Sequence, residues 1–268
     1  MTGVQTCALP ISQSLYLKKL KSRKRQITAL RLILFLGFLA LWEAAADFGW
    51  IDSFIFSSPS GIAKTFYTMC RDQALFSHIG ITVAETALSF LLVLVFSVLF
   101  SVLLWMFPKF AAVMEPYMVV LNSLPKSALA PLLIVWLGAN MKTIIVAGMS
   151  VAIFGSIISL DAGFHAVDPD MLKLIHTLGG KKKDCLTKVV LPSSIPYLLS
   201  TFKVNIGLCL VGVVIGEFIG ARSGLGYLII YGSQVFKLNM VIMSIVILCV
   251  IATMFYGILN IIEKKYKY

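Results

Sequence analysis

Six apolar stretches follow one another along the chain, at about residues 27–46, 79–106, 110–137, 143–160, 196–219 and 240–262. Each approaches or exceeds the roughly 18–20 residues that a helix needs to cross the hydrocarbon core of a bilayer. Inside lipid every backbone N–H and C=O must find its partner within the protein, and for segments of this length that means helices. Hydrophobic residues make up 59% of the 268 and charged residues only 13%, about half the charged share of an ordinary soluble domain. The expected fold is an all-α membrane protein of about six transmembrane helices, joined by short loops that leave no room for a large soluble domain.

The net charge of +11 raises the question of a nucleic-acid partner, and the distribution of the charge argues against one. The basic residues lie in short loops and tails, where they act as topology signals and meet anionic headgroups. Six spans put both termini on one side. That side holds Lys18, Lys19, Lys21, Arg23, Lys24 and Arg25 ahead of the first span. It also holds Arg31, Lys109, Lys173, Lys181, Lys182, Lys183, Lys188, Lys264, Lys265 and Lys267, 16 in all. The other side holds Lys64, Arg71, Lys142, Arg222 and Lys237, five in all. By the positive-inside rule both termini and the lysine-rich loop are expected to be cytoplasmic.

Residues 1–11 carry no charge and no apolar core long enough for a signal peptide, and they resemble the conceptual translation of a sequencing-adapter oligonucleotide. They are expected to be non-native. Residues 12–26 then read as a basic cytoplasmic tail, 27–78 as the first span with an extracellular interfacial segment, 79–262 as the main transmembrane body with a cytoplasmic loop at 163–195, and 263–268 as a second tail. The five cysteines form no C-x-x-C or Cys/His ligand cluster, so neither a disulfide framework nor a metal site is expected.

Two spans are irregular. The third holds Pro116, Pro125 and Pro131, with Asn122 and Lys126 between them. Proline removes a helix hydrogen bond, so this span is expected to be kinked or broken, where protein or water can satisfy the freed carbonyls. The fifth carries Gly212, Gly216 and Gly220 at i, i+4 and i+8, and the fourth a similar face in Gly148, Ala152 and Ser156. Such small-residue stripes let helices approach closely. At 57–79, "SSPSG" is followed by Ile62, Phe66 and Met69, the spacing of an amphipathic helix lying at the membrane interface.

The loop between the fourth and fifth spans has its own design. Asp168-Pro169-Asp170 reads as a helix start, with an acidic N-cap, proline at the first position and a second acid near the positive end of the dipole. Met171, Leu174, Ile175 and Leu178 follow at i, i+3, i+4 and i+7, one apolar face. Gly179-Gly180 ends the helix. A second short helix holds Cys185, Leu186, Val189 and Val190 and is expected to stop at Leu191-Pro192. The apolar face is too small for a core of its own and calls for a membrane surface or a partner protein. The lysines of the loop are assigned mainly to topology and headgroup contact.

Gly179, nine residues, Val189, one residue and Leu191-Pro192 match the later part of the EAA loop of permease subunits in binding-protein-dependent ABC importers. Lys173, Leu174 and Ile175 stand where "EAA" itself would be. "NSLPKSALAPLLIVWLG" (122–138) and "GEFIGARSGLGYLI" (216–229) resemble the corresponding segments of the nitrate/sulfonate/taurine branch, and with "SSPSG" the resemblance covers nearly the whole chain from Trp42. It implies a type I importer permease in a bacterial-type cytoplasmic membrane, commonly a homodimer. A cytoplasmic ATPase dimer would bind below and an extracytoplasmic substrate-binding protein above. The coupling residues would be Met171, Leu174, Ile175, Leu178, Gly179, Gly180, Val189, Leu191 and Pro192. Asn122, Pro125, Asn205 and Glu217 are candidates for the translocation path. No cofactor is expected in this chain, which lacks the G-x-x-x-x-G-K-[S/T] loop; ATP and Mg would bind the partner ATPase. The resemblance leaves the solute open among sulfonates, nitrate, taurine and nitrogen-heterocycle precursors.

Two other classes compete. A secondary transporter or channel would use intramembrane ionisable groups such as Glu85, Lys126, Lys203 and Glu217, but these are few and scattered, and no inverted repeat is evident. A membrane enzyme would need a cluster of reactive groups, and His78, His165 and His176 lie far apart in the sequence.

Overall fold

The computed structural model describes residues 9–266; residues 1–8, most of the 1–11 segment and including Cys7, lie outside the described residues, as do Lys267 and Tyr268. The chain divides into two compact units, Met1–Ala63 and Lys64–Tyr268. Among the described residues there are helices and no strands. Five helices are long and apolar enough to cross a membrane, or six spans if a sharply bent pair counts as one.

The first unit holds α1 (Leu9–Asp47), α2 (Ser53–Phe56) and the start of α3 (Pro59–Arg71). The basic stretch 12–26, expected as a cytoplasmic tail, is helical and forms part of α1. No glycine or proline interrupts residues 11–36, and Leu, Lys, Arg and Gln are good helix formers. The Ser58 hydroxyl accepts the Gly61 N–H, and the Glu43 carboxylate of α1 accepts the Ser60 N–H at 2.9 Å, so the opening of α3 is capped from two directions. The segment expected to run over 57–79 is shorter. Gln73 turns the chain at φ 56°, and the second span, α4 (Ala74–Met106), begins five residues ahead of the expected boundary.

In the second unit the third span is two helices, α5 (Pro108–Ser123) and α6 (Lys126–Leu137), which meet at 94°. Of the three prolines only Pro125 breaks the span. Leu124 and Pro125 are both extended, as steric clash with a proline ring demands of the residue before it, whereas Pro116 and Pro131 stay inside their helices. The Lys126 ammonium donates to the carbonyls of Leu121 and Asn122, each at 2.7 Å. A positive charge thus closes the exposed C-terminal end of α5.

The fourth span is α7 (Met141–His165) and the fifth is α10 (Leu191–Gly220). Their small-residue faces pack on each other. A Cβ on Gly212 would stand 2.8 Å from the Gly148 Cα and 2.9 Å from the Ala147 carbonyl oxygen, and one on Gly216 would stand 3.2 Å from the Ala147 Cβ. Gly220 faces Ile134 of α6. The stripes are therefore packing surfaces within one chain. α4 packs on α7 as well, where Ser89 and Ser101 donate to the carbonyls of Ile145 and Ile157. The sixth span, α12 (Leu238–Tyr266), follows the short α11 (Leu225–Gln234). Lys203 of α10 ties to it through Glu263, the Asn260 amide oxygen at 3.1 Å and the face of Tyr256.

Candidate functional site

The lysine-rich loop folds from its local sequence. α8 (Pro169–Thr177) begins where the Asp168 carboxylate accepts the Asp170 N–H at 2.9 Å, with Pro169 in the first position. It ends in a Schellman closure: the Gly179 N–H donates to the His176 carbonyl and the Gly180 N–H to the Ile175 carbonyl. Gly179 is left-handed, at φ +79°. Gly180 has no room for a side chain, since a Cβ would lie 2.4 Å from the Ile175 Cγ2 and 2.9 Å from its carbonyl oxygen. Both glycines are thus required, for different reasons.

The second short helix, α9 (Lys182–Cys185), starts with the Asp184 carboxylate accepting the Lys181 N–H at 2.9 Å. It does not stop at Leu191-Pro192. A π-helical turn, Leu186–Val190, carries the backbone into α10, and 182–220 is one apolar helical run. The Leu191 N–H reaches back to the Leu186 carbonyl. Pro192 sits in the first turn of α10, where a missing N–H costs little. Expecting a stop there overlooked that tolerance.

The four apolar residues expected on one face of α8 divide. Ile175 turns inward with Leu172, against a core of Trp105 and Phe164 at the ends of α4 and α7, with Cys185, Leu186 and Val190 from the second helix. Val189 and Leu191 pack on the same core. The loop therefore has a core after all, borrowed from the ends of two spans. Met171, Leu174 and Leu178 remain outside it, 51%, 58% and 76% exposed. Pro192 is exposed as well.

Lys182 is the residue the sequence reading undervalued. Its ammonium donates to the Met106 carbonyl at 2.7 Å and sits 5.4 Å above the Trp105 ring. It closes the C-terminal end of α4 as Lys126 closes α5, and fastens the loop to that span. The sequence held one signal, a lysine run directly after a glycine turn, but not the partner.

The remaining candidates fall in three places. Asn122 and Pro125 are exposed at the break in the third span. Asn205 is buried, its amide donating to the Ser156 hydroxyl at 2.8 Å between α10 and α7. Glu217 is fully buried near the end of α10, where it accepts from Thr82 and from the first turn of α11. His78 accepts the Gly224 N–H, His165 lies beside Asp161 and His176 beside Cys185. Among the described residues no three His, Cys, Asp or Glu side chains cluster as metal ligands would.

The sequence profile of the family described as "Binding-protein-dependent transport system inner membrane component" matches residues 94–268. The putative aliphatic sulfonates transport permease protein SsuC of Bacillus subtilis is 26% identical over 258 residues, 96% of this chain and 94% of that protein. The formylaminopyrimidine transport permease protein ThiX of Halalkalibacterium halodurans is 25% identical over 206 residues, 76% of this chain and 81% of that one. Among solved structures, the fold is similar to a chain of the MetNI methionine ABC transporter in an inward facing conformation, with a TM-score of 0.65 and 18% identity over 72% of this chain and 96% of that chain.

Proposed function

Because the chain belongs to the family of binding-protein-dependent transport system inner membrane components and is a membrane-spanning permease subunit of an ABC importer, we propose that residues 163–195 are the seat of a separate ATPase. ATP and Mg bind on that partner. The termini and the loop face the cytoplasm. A second copy of this chain completes the path, and a substrate-binding protein delivers the solute from the other side. The solute is small and of sulfonate, nitrate or taurine type or related, with selectivity residing mainly in the binding protein. The different solutes named for SsuC and ThiX are consistent with that division.

One observation carries the coupling role: Met171, Leu174 and Leu178 are exposed apolar side chains on a helix whose other face is locked to the ends of α4, α7 and α10. Covering such side chains is worth roughly 1–2 kcal/mol each. A partner that pushes on them pushes on three spans at once. Two variants test this. In Gly179→Val a β-branched residue must adopt φ +79°, at a cost of about 1–2 kcal/mol, although no neighbour would touch its Cβ. Leu178→Asp places a charge on the outward face without touching the core. Both proteins should insert in the membrane, and both should lose ATPase co-purification and ATP-driven uptake. Wild-type ATPase binding and uptake in both would overturn the assignment.

A further inference from the structure

At the far end of α4, about 35 Å from the lysine-rich loop by helix rise, two buried glutamates meet with no basic partner. Glu217 of α10 is 0% exposed and Glu85 of α4 is 1% exposed. The Thr82 hydroxyl donates to Glu217 Oε1 at 2.6 Å, and the N–H groups of Gly226 and Tyr227 donate to the same carboxylate. The Leu225 N–H goes to the Thr82 hydroxyl at 2.8 Å and the Gly224 N–H to His78 Nδ1 at 2.9 Å. Four consecutive N–H groups at the start of α11 thus all find partners on α4 and α10, which is what a helix N-terminus buried away from water requires. The glycines belong to this arrangement. A Cβ on Gly224, at φ +113°, would stand 2.3 Å from Glu217 Oε1, and one on Gly226 would stand 2.7 Å from Oε2.

Glu85 is the odd member. It follows Thr82, which bonds Glu217, by three residues on the same face of α4, and it interacts with the Glu217 carboxyl, yet its Oε2 is buried and receives no hydrogen bond. Among the described residues no lysine or arginine forms an ion pair with either glutamate. The other titratable groups of the junction are His78 and Tyr227. Two ionised carboxylates in contact in a dry interior repel strongly, and a hydrogen bond between carboxyls needs a proton on one of them. Glu217 already accepts on both oxygens, so it is the acceptor. Only Glu85 is left to donate.

We propose that Glu85 is a proton-binding site: it holds one proton, donates it to the Glu217 carboxylate, and so locks the N-terminus of α11 to α4 and α10. The proton is a fixed structural part of the junction, not cargo.

Infrared spectroscopy of the purified permease–ATPase complex tests the assignment directly. Wild type should show the carbonyl stretch of a protonated carboxylic acid that shifts in heavy water. Glu85→Gln, whose amide can still donate to Glu217, should lose that band while keeping the melting temperature and uptake of wild type, and uptake should be insensitive to a protonophore when ATP is supplied. Glu217→Gln turns an amide NH2 toward the Gly226 or Tyr227 N–H and should lower the melting temperature. A band that survives in Glu85→Gln would overturn the proposal. So would a wild type that lacks the band but melts higher with added sodium in a manner Glu85→Gln abolishes, which would make the ligand a metal cation. The band in Glu85→Gln decides the matter even if Glu217→Gln fails to fold.

Discussion

Gly212 offers the sharpest test of how the spans pack. A Cβ there would meet the Gly148 Cα at 2.8 Å, the Val151 Cγ2 at 2.8 Å and the Ala147 carbonyl oxygen at 2.9 Å. Two of those three atoms are backbone and cannot rotate away, so Gly212→Ala must push α10 off α7. Overpacking of this kind costs about 1–3 kcal/mol, partly offset by the gain of up to about 1 kcal/mol that alanine brings over glycine in a helix. Gly207, five residues earlier on the same helix, has nothing within 4 Å of a Cβ. Gly207→Ala should collect the helix gain alone. The helix gain is common to both variants, so Gly212→Ala should fall below Gly207→Ala by the overpacking cost, about 1–3 kcal/mol, with Gly216→Ala between them because its contacts begin at 3.2 Å. Thermal unfolding of the detergent-solubilised protein, alongside ATP-driven uptake, measures this. If Gly212→Ala melted at or above Gly207→Ala, the intrachain packing of these stripes would be refuted.

Topology follows from charge: with 16 basic residues against five, an impermeant thiol reagent should reach Lys183→Cys only from the cytoplasm and Arg222→Cys only from outside, and labelling of both from one side would defeat the arrangement. Lys182→Met keeps the apolar stem but removes the bond to the Met106 carbonyl, worth about 1.5–3 kcal/mol for a charged donor before solvent discounts it. Amides of α9 should exchange faster with solvent in Lys182→Met than in the Lys183→Met control, and equal exchange would return Lys182 to a topology role.

The spans were legible because lipid imposes a length and a polarity that few other constraints can imitate. The break at Pro125 was half legible. Three prolines announced it, but the choice of Pro125 depended on an extended Leu124 and on a lysine able to cap the severed end, and only the second of these has a sequence sign. The start and the glycine closure of α8 were readable for a local reason, since the capping groups lie within a few residues of what they cap. The split between Ile175 and Leu178 was not readable. A period of 3.6 says which side chains share a face, but Trp105 and Phe164, which cover Ile175 and leave Leu178 bare, come from 60 or more and 10 or more residues away. The Glu217 junction was hidden for the same reason, since its partner Thr82 lies 135 residues distant.

The error at Pro192 has a consequence for how the molecule can move. With no stop there, the run from Lys182 to Gly220 spans 39 residues, about 58 Å at 1.5 Å per residue. Near its start, Lys182 bonds the last turn of α4; near its finish, Glu217 bonds Thr82 in the early part of the same helix. Between those points Gly212 and Gly216 admit α7 to contacts that would not tolerate a methyl group without displacement. Sliding α10 along α4 or α7 would break polar bonds at both ends and drive side chains into backbone in the middle. Interiors packed this closely shift between discrete arrangements instead of deforming continuously. In the proposed coupling role, a force applied to Met171, Leu174 and Leu178 would therefore be delivered to α4, α7 and α10 as one body, and the Glu85–Glu217 junction would move with it.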